Sequence, residues 1–271
     1  MRRLLGLIVM MSVLLCCCAP KKKELVLLGT VHQSVENFTP DSLYNILVKI
    51  KPDLILFEVD SSLFTDTFEF NKTWDSNENI ATVKYMDTFD VAVRPYEFTG
   101  RNAYRIKIGS RPTDGKATQL LDSLYKNNQL DAADADTYER FLKINDSLNA
   151  FAYQGARAFN SMETDKIAEA RQDYQYKALL NIMGQYPVFS ETYFVKQDGD
   201  SISYFEGYKR ASEFWDLRNQ TMANNILHFI RESDYRKIVV LNGYFHRYYL
   251  NTLIRPKQDE LNFIVKEFYD Y

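Results

Sequence analysis

The sequence predicts an α/β fold: a mostly parallel central sheet flanked by helices, with a helical insertion in the middle of the chain. Three observations predict it. Apolar runs of the length that buried parallel strands use recur within residues 24–28, 54–59 and 237–241, and residues 91–96 read as a further strand. Amphipathic, helix-favouring segments separate them. A run from about residue 118 to 183 is poor in breakers and rich in Ala, Leu, Lys, Glu and Gln.

Taken in order, Leu25-Val26-Leu27-Leu28 forms the first strand and Gly29 ends it. Pro40-Asp41 opens a helix to about Ile50, with Leu43, Ile46, Leu47 and Ile50 on one face. Lys51-Pro52-Asp53 breaks that helix before the second strand, residues 54–59. A strand–helix–strand unit of about 35 residues implies parallel strands and a right-handed crossover. Residues 79–88 read as a helix and 91–96 as a third strand. The segment from about 105 to 200 is then a helical insertion or lid, or else the outer helices of the domain itself. Residues 197–200 make a turn, and a long helix covers about 203–231. A strand at 237–241 ends at Asn242-Gly243, a helix follows at 248–254, and residues 261–265 add a last strand.

The chain has 271 residues, 46% apolar and 25% charged, so it can bury a proper core. Its 19 Tyr and 18 Phe argue against disorder. A net charge of −3 provides no basic field for nucleic acid.

The amino terminus has the build of a secretory signal peptide: Arg2 and Arg3, then a short apolar run. All three cysteines, Cys16, Cys17 and Cys18, stand together after it. The segment Leu14-Leu15-Cys16-Cys17-Cys18-Ala19 resembles the cleavage box of bacterial lipoproteins, with Cys18 as the lipidated residue and Cys17 next. A plain signal peptide cut near Ala19 is the alternative. Either route leaves no cysteine for a disulfide or a thiol nucleophile. The expectation is an exported protein of the periplasm or cell envelope, with residues 1–18 as a lipoprotein-type signal peptide, a lipid anchor on Cys18 and one domain from 24 to 271. Lys21-Lys22-Lys23 reads as a tether beside the membrane or as a solvated charge run.

The chemistry-bearing residues lie at strand ends. Gly29-Thr30-Val31-His32 and Gly243-Tyr244-Phe245-His246 each follow an apolar strand, with histidine three residues after glycine. Ligands of parallel α/β sheets collect beyond the carboxyl ends of the strands, so two such loops can face one crevice. One Gly-x-x-His is a weak signal; a matched pair is stronger. The second strand ends in Glu58-Val59-Asp60, placing two carboxylates on one face if the strand continues. A carboxylate that closes an apolar strand needs a partner. Two imidazoles with a carboxylate, His32, His246 and Glu58, suit a divalent metal such as Mn, Co or Zn, or a metal-free general base with its orienter.

In the long helix, Trp215, Arg218, Asn219, Met222 and Ile226 share a face, so Arg218 and Asn219 interrupt an apolar stripe. A core-facing Arg calls for a carboxylate, either Glu58 or a substrate anion; the bland alternative is snorkelling to solvent. Glu97 and Arg101 form a further pair beside a strand end. His228 reads as a surface or helix-end residue.

Together these residues resemble the TraB/Tiki family, which includes pheromone-shutdown and GumN-type bacterial members. That family lies in a wider superfamily with erythromycin-esterase-like and ChaN-like haem-binding proteins. The matching pieces are Gly29-Thr30-Val31-His32, Glu58, Arg218-Asn219 with Met222-Ala223, and Gly243-Tyr244-Phe245-His246. The resemblance implies one site made of His32, Glu58 and His246, supported by Arg218 and Asn219, and for Tiki proteins a metal-dependent protease activity. This chain departs where small residues are usual, carrying Tyr244, Phe245 and Arg247-Tyr248-Tyr249, so the pocket is expected to be remodelled. The expected function is a metal-assisted hydrolase acting on a peptide or small molecule. The alternatives are a metal-free esterase-like hydrolase with a histidine base and a non-enzymatic envelope lipoprotein binding haem or another ligand.

Overall fold

Five parallel strands form the central sheet: β1 (Lys23–Thr30), β2 (Leu54–Phe57), β3 (Ala92–Pro95), β6 (Lys237–Gly243) and β7 (Phe263–Lys266), in spatial order β3-β2-β6-β1-β7. Two short strands between them in sequence, β4 (Tyr193–Val195) and β5 (Ser201–Ser203), pair as a separate antiparallel hairpin around the turn at 197–200. This is a computed structural model and it describes residues 22–271. The leader and the lipidation candidates Cys17 and Cys18 lie outside the described residues. Among the described residues no helix is long and apolar enough to cross a membrane.

The apolar runs form a sheet because alternate side chains fill two cores. Val26, Leu28, Ile55, Phe57, Val239 and Leu241 face one side, where helices α1 (Pro40–Ile50) and α2 (Asn77–Met86) pack. Leu25, Leu27, Leu54, Leu56, Ile238 and Val240 face the other. Both faces are covered, which explains why these strands read as continuous rather than alternating.

Between β3 and the last two strands of the sheet runs the helical segment. It comprises α3 (Arg101–Lys107), α4 (Thr113–Lys126), α5 (Ala132–Phe151), α6 (Ala156–Phe159), α7 (Met162–Asp173), α8 (Leu179–Gln185) and α9 (Pro187–Glu191). A π-helical turn, Tyr174–Ala178, joins α7 to α8. This segment has its own core of Leu121, Tyr138, Phe141, Leu179 and Phe189. The long helix α10 (Tyr204–Glu232) binds the parts together. Its first half packs on that core through Tyr208, and its second half packs on the sheet through Met222, Ala223, Ile226 and Ile230. Helix α11 (Arg247–Ile254) closes the same face of the sheet with Leu250 and Ile254.

One feature of strand order and two local differences from the sequence expectation bear on the site. The first two strands are parallel but not adjacent: β6 lies between them, paired with β1 on one side and β2 on the other. The second strand stops at Phe57, because the Val59 N–H turns back to the Phe57 carbonyl at 2.8 Å. Helix α2 begins at Asn77 rather than 79, since Ser76 Oγ accepts the Asn79 N–H at 3.1 Å as its cap.

Candidate active site

Strand order decides where the chemistry lies. With β6 between β1 and β2, three neighbouring strands present their carboxyl ends side by side, and Thr30 is in register with Gly243. His32 leaves β1, His246 leaves β6 and Glu58 leaves β2. All three line one cleft of about 560 Å³, together with Arg218 and Trp215 of α10 and Arg101 of α3.

Glu58 joins the strand ends to the long helix. Its Oε2 accepts the backbone N–H of Gly243 at 2.7 Å and its Oε1 accepts Arg218 Nη2 at 2.6 Å. Burial pushes the Glu58 carboxyl above the usual carboxylate range, against the pull of Arg218. Arg218 Nε donates to both oxygens of Glu97, at 2.9 and 3.1 Å, and Nη2 also reaches Glu97. Burial opposes the charge of Arg218, yet Glu58 and Glu97 outweigh it and hold the guanidinium firmly ionised. Glu97 itself accepts Arg101 Nη1 at 2.9 Å and the Phe98 N–H at 2.8 Å.

The two histidines are shifted in opposite directions. His246 is buried, its ring stacked 4.5 Å from Trp215 at 20°. Arg218 Nη1 donates to its Nε2 at 2.7 Å, so Nδ1 carries the proton and donates to Asn219 Oδ1 at 2.7 Å. Burial and then the Arg218 charge hold this imidazole well below the usual histidine range, hence neutral. Asn219 and Arg218, which break the apolar stripe, fix its tautomer from both sides.

His32 keeps one nitrogen free. Its Nδ1 pairs with Glu78 Oε1 at 2.8 Å, and its side chain remains 62% exposed. The hydrogen bond to Glu78 raises the His32 pKa above 6.5, with the charges of Glu78 and Glu58 adding to it. Glu78 is buried in the first turn of α2 and also accepts Thr30 Oγ1 at 2.5 Å. Burial opposes its ionisation, but His32 holds it below the usual carboxylate value. Next to it Asn77 clamps the histidine loop: its N–H donates to the His32 carbonyl, and its side-chain amide donates to the carbonyls of Val31 and Gln33. The free edge of His32 and the carboxylate of Glu58 flank Gly243. A Cβ there would stand 3.5 Å from His32 Nε2 and 3.8 Å from Glu58 Oε2.

As ligands for a divalent ion, His32, Glu58 and His246 do not fit in this arrangement. The lone pair of His246 Nε2 and one oxygen of Glu58 are both turned to the Arg218 cation, which a metal would have to displace. Among the described residues no group of three His, Cys, Asp or Glu forms a metal cluster.

Comparison with models of known families, with curated proteins and with solved structures finds no match to this chain. The assignment of chemistry therefore rests on the site itself.

Of the secondary candidates, Glu97 and Arg101 belong to the cluster. Asp60 does not: with β2 ended at Phe57, its side chain accepts the N–H groups of Ser62 at 3.0 Å and Gly100 at 2.6 Å, capping a turn. His228 is exposed on α10, away from the cleft. Of the bulky residues around the second motif, Tyr244 and Phe245 line the cleft, whereas Arg247 turns away to Asp165, Glu267 and the Leu27 carbonyl. Sequence reading missed Glu78, Asn77 and Asn160. The first two fell just outside a helix placed to begin at 79. Their signal was Ser76, a capping residue, with an acidic residue two places on, which puts both in the first turn.

Asn160 explains why the first motif begins with glycine. Its side-chain amide both accepts the Gly29 N–H at 2.7 Å and donates to the Gly29 carbonyl at 3.0 Å, extending the ladder beyond β7. A Cβ on residue 29 would lie 3.0 Å from Tyr244 Cβ and 3.1 Å from Asn160 Oδ1. Gly29→Ala is expected to destabilise the fold by about 1–3 kcal/mol through overpacking. A denaturant midpoint equal to that of the unaltered protein would show that the contact yields freely.

Proposed function

We propose that this protein is a hydrolase of carbonyl compounds that uses His32 as its general base and needs no metal. The observation that carries the reading is the contrast between the two imidazoles. His246 has both nitrogens engaged, while His32 has one nitrogen held by a buried carboxylate and the other open to the cleft. Such a carboxylate–histidine pair fixes the tautomer that leaves Nε2 as the proton acceptor and stabilises the imidazolium formed in the reaction.

The step balances with the residues present. Neutral His32 Nε2 takes a proton from water as the water oxygen bonds to the substrate carbonyl carbon. The carbonyl π electrons move to its oxygen. When they return, the bond to the leaving group breaks and His32 gives its proton to that group, so one water is consumed. Arg218, held by Glu58, Glu97 and His246, supplies a fixed positive charge while negative charge develops on the substrate.

This reading lies on the erythromycin-esterase-like side of the resemblance rather than on the metal-dependent Tiki side. Export to the cell envelope and a lipid anchor on Cys18 belong to the same proposal and rest on the leader sequence. The test is turnover of a panel of activated esters and amides by the purified protein, before and after exhaustive chelation. Undiminished turnover in chelator is expected. Activity lost on chelation and restored by Mn, Co or Zn would replace this reading with the metal-assisted one, and an absence of turnover on every carbonyl substrate would defeat both.

A further inference from the structure

The cleft contains two guanidinium groups with unequal commitments. Arg218 has four of its five N–H donors engaged, on Glu97, His246 and Glu58, and is buried. Among the described residues Arg101 makes a single side-chain hydrogen bond, from Nη1 to Glu97 Oε2 at 2.9 Å, and its side chain is 37% exposed where it lines the cleft. Its other side-chain donors have no hydrogen-bond partner among the described residues. Burial and the neighbouring Arg218 charge both weigh against the Arg101 cation, and an incoming anion would relieve that.

The remaining walls differ in character. Val35, Ala152, Tyr153 and Phe245 make an apolar side, with Ala152 and Tyr153 placed just beyond the end of α5. A space of about 560 Å³ is the size of a small-molecule site. A planar guanidinium with free parallel donors matches a carboxylate better than any neutral group.

Resting on the hydrolytic reading of this cleft, we infer that Arg101 anchors a substrate carboxylate, so that the protein takes compounds with an anionic carboxylate and an apolar, aromatic-sized body. A small aromatic acid and the carboxyl end of a short peptide share this chemistry.

Binding separates the inference from catalysis. The full chain carrying His32→Ala, which removes the proposed base so that no probe is hydrolysed, is titrated calorimetrically with 4-phenylbutyrate and its methyl ester, and with N-acetyl-Ala-Phe bearing a free or an amidated carboxyl end. Each acid is expected to bind about tenfold or more tightly than its neutral counterpart, as loss of a charge-assisted hydrogen bond implies. The tighter of the two acids identifies the source. Arg101→Met, checked for a native thermal transition, should abolish the preference, and Arg101→Lys should retain part of it. Equal binding of acid and neutral partner, no saturable binding of either acid, or a preference that survives in Arg101→Met would each overturn the inference. Since no readout depends on turnover, a failure of the hydrolase reading leaves this result standing, and the reverse also holds.

Discussion

His32→Ala is expected to lower kcat/KM about 10²–10⁴-fold, the usual contribution of a positioned general base, and to lower stability as well, because the buried Glu78 carboxylate loses the partner that holds it ionised. The more discriminating variant is Glu78→Gln. In the unaltered protein the working form of His32 is neutral, and its pKa lies above 6.5 because Glu78 favours the imidazolium. Activity should therefore rise with pH through a limb centred above 6.5. The amide oxygen introduced by Glu78→Gln can still accept the Nδ1 proton but carries no charge. The imidazolium then loses its main support, and the limb should move down in pH, with a lower plateau. A purely structural role for Glu78 would reduce the plateau without moving the limb. Measuring kcat/KM from pH 5 to 9 for both proteins decides the matter; an unmoved limb removes Glu78 from the reaction, and full activity in His32→Ala removes the base.

The strand and helix pattern was legible because burial of both sheet faces writes itself into sequence as continuous apolar runs. The histidine pair was legible because both motifs occupy the same place, the first turn beyond a strand. What local patterning does not encode is strand order. Nothing in residues 23–57 or 237–243 indicates that β6 enters between β1 and β2, yet that insertion sets Gly243 against Glu58 and gives the cleft its acid. The division of labour between the histidines was equally hidden. It depends on which ring meets Arg218 and which meets Glu78, contacts made across long stretches of chain. Arg247 shows the same limit. In sequence it stands beside His246 as a remodelled cleft residue, whereas in the fold its guanidinium is buried and ties β1 and α7 to Glu267, just past β7.

The largest effect on stability is expected at Arg218. Its guanidinium is the shared counter-ion of Glu58 and Glu97, whose side chains are 9% and 2% exposed. Arg218→Met leaves two carboxylates in a poorly solvated space, with only Arg101 still paired to one of them. Removing one member of a buried ion network typically costs about 3–5 kcal/mol, because the partners stay buried without compensation. In a chain of this size that corresponds to a fall in Tm on the order of 10 °C. The sign of the pH dependence follows from Glu58, whose carboxyl is already raised above 4.5 by burial and rises further without Arg218. The folded variant then binds a proton that the unfolded chain does not, so its deficit should shrink as pH falls from 8 toward 5. Arg218→Lys should recover little, since one ammonium cannot serve Glu58, Glu97 and His246 at once. Adding Glu97→Gln to Arg218→Met removes one stranded charge and should return a measurable part of the loss, giving a coupling in the double-mutant cycle. Urea midpoints at pH 8 and pH 5 for the unaltered protein, Arg218→Met, Arg218→Lys, Glu97→Gln and the double variant test this directly. Near-native stability of Arg218→Met at pH 8 would mean that water, rather than the guanidinium, solvates the two carboxylates, and with it the fixed positive charge assigned to the reaction would lose its anchorage.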